Sequence, residues 1–261
     1  MQQQVIEELG DELYQALCER TVVEPVTKRH PDVSIDAAYQ VSARMLNRRI
    51  AAGEKLVGRK VGLTNKAVQG FFGIDHPDFG NLTNAMQFSD GADVPISDLL
   101  IQPKVEGEIA IVLKHDLNGP DVSVADVLEA VDYAAPCFEI VDSRIRDWRI
   151  KIADTIADNG SSALFVLGEQ HEDPRDLDLR DCRMALRADG EIVSEGTGAA
   201  ALGSPLGCVA WLANALSQYN DGLQAGDIIL SGSLGPVIEA RPGTAMQLSI
   251  GGIGEASLRF S

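Results

Sequence analysis

With 261 residues, the chain can bury a sizeable core and suits one large domain, or one domain with a small appendage. A formal net charge of −17 argues against nucleic acid and against an anionic membrane surface as partners. The four cysteines (Cys18, Cys137, Cys182, Cys208) are scattered without a CxxC or Cys/His cluster, which argues against a zinc site or a disulfide framework.

The start, MQQQVIEELGDEL, is acidic and amphipathic and lacks the basic and apolar regions of a signal peptide. No run of about 18 apolar residues announces a membrane span, so the expected location is the cytoplasm. Residues 4–19 read as an amphipathic helix, with Ile6, Leu9, Leu13 and Leu17 at helical spacing. The two prolines of TVVEPVTKRHPD (21–32) break it. A second helix is expected from Ser34, as N-cap, to about Ala52, with Gly53 as its stop. Residues 1–55 thus read as a small helical section, followed by a β-rich domain over 56–261.

Residues 55–63 are strand-like, and Lys60 within them is either an exposed strand lysine or an inward cation. GFFGIDHPDFGNL (70–82) reads as an irregular loop or flap that carries Asp75, His76 and Asp78. In IQPKVEGEIAIVL (101–113), Val105, Ile109, Ile111 and Leu113 alternate as in a half-buried strand. That period puts Glu106 and Glu108 on one face. Two like charges facing an apolar setting need a cation or strong donors, and carboxylate oxygens suit a hard divalent ion. A solvated outer face of an edge strand explains the same pair, and the pattern alone leaves both open.

Asn118-Gly119-Pro120 marks a turn, and Ser123 with Asp126 resembles a capping box opening a short helix that ends near Ala134-Ala135-Pro136. Phe138 and Ile140 mark the next strand, where Glu139 stands in a position that strands usually give to Val or Ile. ADNGSS (157–162) is a polar turn before the apolar strand 163–167. Ser204 and Pro205 open a helix with a stripe of Leu206, Val209, Ala213 and Leu216. Short strands follow over 227–231, 246–250 and 256–260. The Gly232–Pro236 loop is either a plain hairpin or a set of backbone donors for a carboxylate or oxyanion.

Were Glu106, Glu108 and Glu139 to meet, they would hold one octahedral ion with positions left for water and substrate. Such a site favours a ligand with two adjacent oxygens, such as a 2-oxo acid. It stabilises an enolate and so serves C–C cleavage, decarboxylation or addition of water to a conjugated double bond. Spacing does not say which.

Several long runs carry a resemblance. VGRKVGLT (57–64), HPDFGNLTNAM (76–86), PKVEGEIAIVL (103–113), PCFEIVDSRIRDW (136–148) and ADNGSS (157–162) resemble the hydratase and decarboxylase branch of the fumarylacetoacetate hydrolase superfamily. GAAALGSPLGCVAWLAN (198–214) and GGIGEASLRF (251–260) extend the likeness through nearly the whole chain. The resemblance implies an α+β fold: a mixed β-sheet roll with peripheral helices, preceded by the helical section. It implies Glu106, Glu108 and Glu139 as ligands of Mg2+ or Mn2+, with Lys60 and Asp78 as the groups that handle protons or hold the substrate carboxylate. Ser161 and Leu63 are implied to border the substrate. Gly160 stands where alanine is expected (ADNAS), a small change expected to loosen the turn and leave the chemistry alone.

The implied reaction is ketonisation of 2-hydroxypenta-2,4-dienoate and addition of water at carbon 4, in the meta-cleavage degradation of aromatics. A homo-oligomer, and a complex with the pathway decarboxylase, are implied in the same way. The nearest alternative, decarboxylation of 4-oxalocrotonate, requires a cation for a second carboxylate, and Arg144 and Arg146 are the residues expected to supply it. Leu63-Thr64 and the run 143–148 look like the hydratase side. A C–C bond hydrolase would call on a His–Glu pair, and none of His30, His76, His115 and His171 stands beside a glutamate in a way that suggests one. A non-enzymatic member would be expected to lack one of the three glutamates.

Overall fold

The computed structural model describes residues 1–65, 69–70 and 76–261. Asp75, part of the expected flap, lies outside the described residues. Three helices come first: α1 (Gln3–Glu19), α2 (Val26–Arg29) and α3 (Ile35–Ala51). The Ser34 side chain caps α3 by accepting from the Ala37 N–H at 3.2 Å. Then come β1 (Leu56–Gly62), β2 (Asp78–Thr83), β3 (Gln87–Ser89), β4 (Ala92–Val94) and α4 (Ile96–Leu99). The long strands β5 (Lys104–Leu113) and β6 (Val131–Val141) flank α5 (Val124–Ala130). After them come α6 (Ile152–Ala157), β7 (Ser162–Leu167), β8 (Arg183–Ala188), β9 (Glu191–Thr197) and α7 (Pro205–Ser217). The chain closes with β10 (Ile228–Leu230), β11 (Ile238–Glu239), β12 (Ala245–Ile250) and β13 (Gly254–Phe260).

Eight strands form one mixed sheet in the order β2-β1-β10-β5-β6-β7-β3, with β11 paired to the start of β5. The pairs β1/β10 and β3/β7 are parallel; the rest are antiparallel. A second sheet has the order β4-β13-β12-β8-β9. The two sheets pack face to face, and the two-residue period of β5 and β6 decides which side chains meet between them. Val105, Ile109 and Ile111 of β5 join Phe138 and Ile140 of β6 in one core with Met184, Leu186, Met246, Leu248 and Leu258 of the second sheet. The alternate residues point the other way. There Ala110, Val112 and Cys137 make a smaller apolar cluster with Leu82, Met86, Phe165 and Leu230. Glu106, Glu108 and Glu139 belong to that second face.

The N-terminal helices are tied to the segment between β6 and β7. Ile6, Leu9 and Leu13 of α1 and Val41 and Met45 of α3 share a core with Ile145, Ala153, Ile156 and Ala157. The Asp154 carboxylate accepts from the Thr27 N–H at 2.9 Å and the Thr27 hydroxyl at 2.7 Å.

Two expectations need correction. Residues 78–82 are not loop: they form β2, fully buried and antiparallel to β1. Gly and Asn in FGNL hide a strand that local composition does not announce. The helix after Ser123 stops at Ala130, and Ala134–Pro136 lie inside β6. Pro136 is tolerated there because its carbonyl accepts from Gly168, just past the end of β7, so the side that lacks an N–H faces no strand. Residues 198–217 are apolar enough to pass as a span, with mean hydropathy 1.4, but only 13 of them form α7. Leu206, Val209, Leu212 and Ala213 of that helix are buried in the main core, which accounts for the hydropathy.

Leu13 is fully buried between α1 and its neighbours. Leu13→Ala is expected to lower stability by about 2–5 kcal/mol, the usual cost of a deleted core side chain. Denaturant unfolding followed by circular dichroism checks this.

Candidate metal and active site

The site lies on the face of the main sheet turned away from the second sheet. Antiparallel pairing sets Glu106 of β5 directly opposite Glu139 of β6, and Glu108 opposite Cys137. One oxygen from each of the three glutamates lies within 4.8 Å of the others. Glu108 and Glu139 are 0% and 1% exposed; Glu106 is half-buried. Cross-strand like charges repel, and here little inside the protein relieves them. The Gly232 N–H donates to Glu108 Oε2 at 2.7 Å. Among the described residues, Glu108 Oε1 and Glu139 Oε1 accept no hydrogen bond. Thus the Gly232–Pro236 loop does hold a carboxylate, and that carboxylate is Glu108.

Lys60 resolves to the inward alternative. It is 4% exposed, and its Nζ stands 3.7 Å from Glu139 Oε1. Burial opposes its charge, but Glu139, Asp78, Glu106 and Glu108 together raise its pKa and keep it an ammonium. Asp78, the first residue of β2, pairs in register with Gly62 at the end of β1. A Cβ at Gly62 would come within 2.2 Å of Asp78 Oδ1 and 2.9 Å of Lys60 Nζ, so only glycine lets the acid and the ammonium share this corner. Neither Asp78 oxygen has a hydrogen-bond partner among the described residues. Burial pushes its carboxyl up, against the pull of Lys60. Burial, then Glu139, pushes Glu106 up to about 7; burial, then Glu139 and Glu106, pushes Glu108 well above its ordinary value.

Four buried or half-buried carboxylates thus gather around the Lys60 ammonium. Orphaned, clustered carboxylate oxygens are the donor set of a hard divalent cation, and Glu106, Glu108 and Glu139 fit one.

Ser161 and Leu63 also reach this place. A cavity of about 270 Å³ is lined by Lys60, Leu63, Asp78, Lys104, Glu106, Trp148, Thr155 and Ser161, among others. A second, of about 610 Å³, shares Gly62, Leu63, Glu106 and Val237 with it. Ser161 Oγ lies 3.2 Å from Thr155 Oγ1. Asn159, Gly160 and Ser161 all take positive φ, of 58°, 59° and 56°. Such a left-handed run is costly outside glycine and is kept where surroundings over-determine it. Here the Asn81 N–H donates to Asn159 Oδ1 at 2.7 Å, and Asn159 Nδ2 returns a bond to the Asn81 carbonyl at 2.9 Å. A Cβ on Gly160 would stand 2.7 Å from Lys60 Cε. The glycine at this position therefore leaves room for the Lys60 side chain.

The two arginines expected to serve a second substrate carboxylate do not line this cleft. Arg144 is fully buried, and its guanidinium is spent on Asp158 Oδ1 at 2.5 Å, the Asp158 carbonyl at 2.6 Å and the Ser162 carbonyl at 3.4 Å. It anchors the turn that carries Ser161. Arg146 is exposed and pairs with Glu24 at 2.9 Å. Sequence reading placed both beside Glu139 in the chain, but the strand ends at Val141 and the segment turns away. The cation that does line the cleft, Lys104, passed unnoticed. It stands two residues before Glu106, so the same period that flagged the glutamates carried its signal. His76 is bonded to the Pro77 carbonyl at 2.9 Å, and among the described residues no histidine forms an ion pair with a glutamate.

A two-sheet α+β frame with a carboxylate triad, an ammonium and a buried acid in one cleft defines a class, and the relatives name it. The fumarylacetoacetate (FAA) hydrolase C-terminal family matches residues 55–261, and the chain belongs to that family. A 2-hydroxypent-2,4-dienoate hydratase of Pseudomonas putida is 56% identical over 219 residues, 84% of this chain and 99% of the relative. A 2-hydroxyhexa-2,4-dienoate hydratase of Comamonas testosteroni is 47% identical over 99% of this chain and 98% of its own. Among solved structures, 4-oxalocrotonate decarboxylase from Pseudomonas putida G7, complexed with magnesium and adipate, superposes with a TM-score of 0.97. It is 33% identical and covers 100% of this chain and 99% of its own.

Arg144→Met would leave Asp158 buried and uncompensated. It is expected to cost about 3–5 kcal/mol, seen as a lowered thermal midpoint, with no selective effect on any dicarboxylate. A second expectation concerns protons. A carboxyl pushed up to about 7 is protonated below that pH and must lose its proton to ligate. Mg2+ binding is therefore expected to release protons near neutrality and to weaken by about tenfold per pH unit below it for each proton displaced. Calorimetry in buffers of different ionisation enthalpy counts them.

Proposed function

We propose that this chain is a divalent-metal-dependent hydro-lyase that converts 2-hydroxypenta-2,4-dienoate into 4-hydroxy-2-oxopentanoate in meta-cleavage degradation of aromatics. The observation that carries the reading is the gathering of Glu106, Glu108, Glu139, Lys60 and Asp78 in one cleft of a chain 56% identical to a dienoate hydratase. Glu106, Glu108 and Glu139 hold Mg2+ or Mn2+. When bound, the ion would supply Lewis acidity to the substrate oxygens.

The residues do the rest. Lys60, kept charged by its acidic neighbours, balances negative charge that develops on the substrate oxygens. Asp78, whose carboxyl burial pushes up, carries the proton. In ketonisation the hydroxyl proton leaves oxygen 2 and carbon 5 gains a proton, giving a conjugated 2-oxo-3-enoate. Water then adds its oxygen at carbon 4 and a proton is delivered to carbon 3. Positioned acid–base groups of this kind are worth about 10²–10⁴-fold. Ser161 and Leu63 border the bound carbon chain. In the same reading the enzyme works in the cytoplasm as a homo-oligomer and associates with the pathway decarboxylase.

The structural likeness to a 4-oxalocrotonate decarboxylase keeps a second reading in view: the same cleft could release CO2 from that dicarboxylate. One paired assay decides. Metal-loaded protein receives freshly generated 2-hydroxypenta-2,4-dienoate or 4-oxalocrotonate, and products are identified. Formation of 4-hydroxy-2-oxopentanoate from the first, without CO2 from the second, is expected. CO2 from the second would replace the hydratase reading, and no reaction with either would end both. Glu106→Gln is expected to cut turnover by at least about 10²-fold, together with metal affinity; unchanged metal binding would make the triad structural.

A further inference from the structure

Asp78 carries the proton in the proposed reaction, yet among the described residues no hydrogen bond to its carboxylate fixes where it points. It is the first residue of β2, an edge strand of the main sheet, so its placement depends on what grips that strand end. One grip is the pairing with β1, which sets Asp78 opposite Gly62 and Phe79 opposite Val61. The period of two turns the Phe79 ring to the other side of the strand from Asp78. There Phe79 joins the main core.

The second grip comes from the N-terminal helices. Tyr39 of α3 stacks on Phe79 with ring centroids 4.2 Å apart and planes 15° from parallel. Tyr219, just past the end of α7, closes the group. Its ring lies 5.2 Å from Tyr39 and 6.1 Å from Phe79, edge-on to the latter. Stacked and edge-on pairs at these separations are favoured by the charge distribution of the rings. The Tyr219 hydroxyl donates to Asp36 Oδ1 of α3 at 3.1 Å, which ties the third ring to the same helix. Among the described residues, Tyr39 alone packs against both the helical core and the main core. Burial, then the Asp78 carboxylate, pushes the Tyr39 phenol up, so the acid acts on that ring's hydroxyl. Asp78 takes no hydrogen bond from the phenol, which leaves the ring as the contribution of Tyr39.

We propose that Tyr39 is a positioning residue: its stack on Phe79 fixes the end of β2 and so the direction from which the Asp78 carboxyl enters the cleft. α3 is then a functional part of the site, although none of its residues lines either cavity. The role rests on the hydratase reading, in which Asp78 carries the proton. Its weight comes from the steep cost of misplacing a reacting group, about 10²-fold for 1 Å.

The test compares Mg2+-loaded, full-length variants. Tyr39→Leu removes the flat ring; it is expected to lower kcat for the dienoate at least about tenfold while KM and Mg2+ affinity stay within about twofold. Tyr39→Phe keeps the ring and is expected to hold kcat within about threefold of the unaltered protein. Phe79→Leu removes the other half of the stack and is expected to repeat the loss, and the double variant to lose no more than either alone. Leu13→Ala, destabilised in the same helical core but away from Phe79, is expected to keep kcat at temperatures below its unfolding. Amide hydrogen exchange over residues 78–83 needs no turnover. It is expected to rise in Tyr39→Leu and not in Tyr39→Phe. Full kcat in Tyr39→Leu, an equal loss in Leu13→Ala, or unchanged exchange in Tyr39→Leu would overturn the role. Turnover of the dienoate by the unaltered protein tests the hydratase reading separately.

Discussion

Three glutamates on two adjacent strands share one buried corner, and the rest of the structure answers to that constraint. β5 and β6 could have spent both faces on apolar packing. Instead one face builds the core against the second sheet and the other turns Glu106, Glu108 and Glu139 together. Buried like charges are tolerated only with compensation. The protein supplies some: one backbone N–H on Glu108 and the Lys60 ammonium near Glu139. The remaining oxygens are left for a cation. The same unrelieved charge holds Lys60 protonated, and burial pushes the Asp78 carboxyl above its ordinary range against the pull of Lys60. The acid–base character of the cleft follows from the repulsion that makes it costly.

Holding that corner requires scaffolding beyond the sheet. The left-handed run Asn159–Ser161 brings Gly160 against Lys60 and Ser161 against the cavity. Arg144 and Asp158 clamp its base; the Asn81–Asn159 pair fastens it to β2. The N-terminal helices pack on α6, directly before the turn, through Ile156 and Ala157. They buttress the segment that carries Ser161. A fully buried ion pair is weak evidence for net stability, and its worth here is geometric: one unique path for the turn.

Part of this was legible in one dimension. Helical spacing marked α1 and α3 to within about a residue, because an amphipathic stripe is a local property. The period of two set Glu106 and Glu108 on one face for the same reason. The capping box at Ser123 held, with Ser123 and Asp126 bonded reciprocally. Long motif runs carried the family through the whole chain. Where local signals conflicted with tertiary context, they failed: β2 is a strand despite its glycine and asparagine, and Ala134–Pro136 lie inside β6 and do not end a helix.

What the sequence by itself determined is the inventory: the carboxylates, their spacing, the helical and strand periods, and the likeness to a family. Only the tertiary structure decided which members of that inventory meet. Glu139 joins Glu106 through strand register, a pairing between residues distant in the chain that no local period encodes. Lys60 faces inward because β2 and the Gly160 turn close over it. Arg144, expected to face a substrate, is consumed by the buried Asp158 carboxylate, and Lys104, which carried no expectation, lies over the Trp148 ring beside the cleft. A side chain's charge is written in its type; its partner depends on long-range packing, where burial sets the cost of leaving that charge alone.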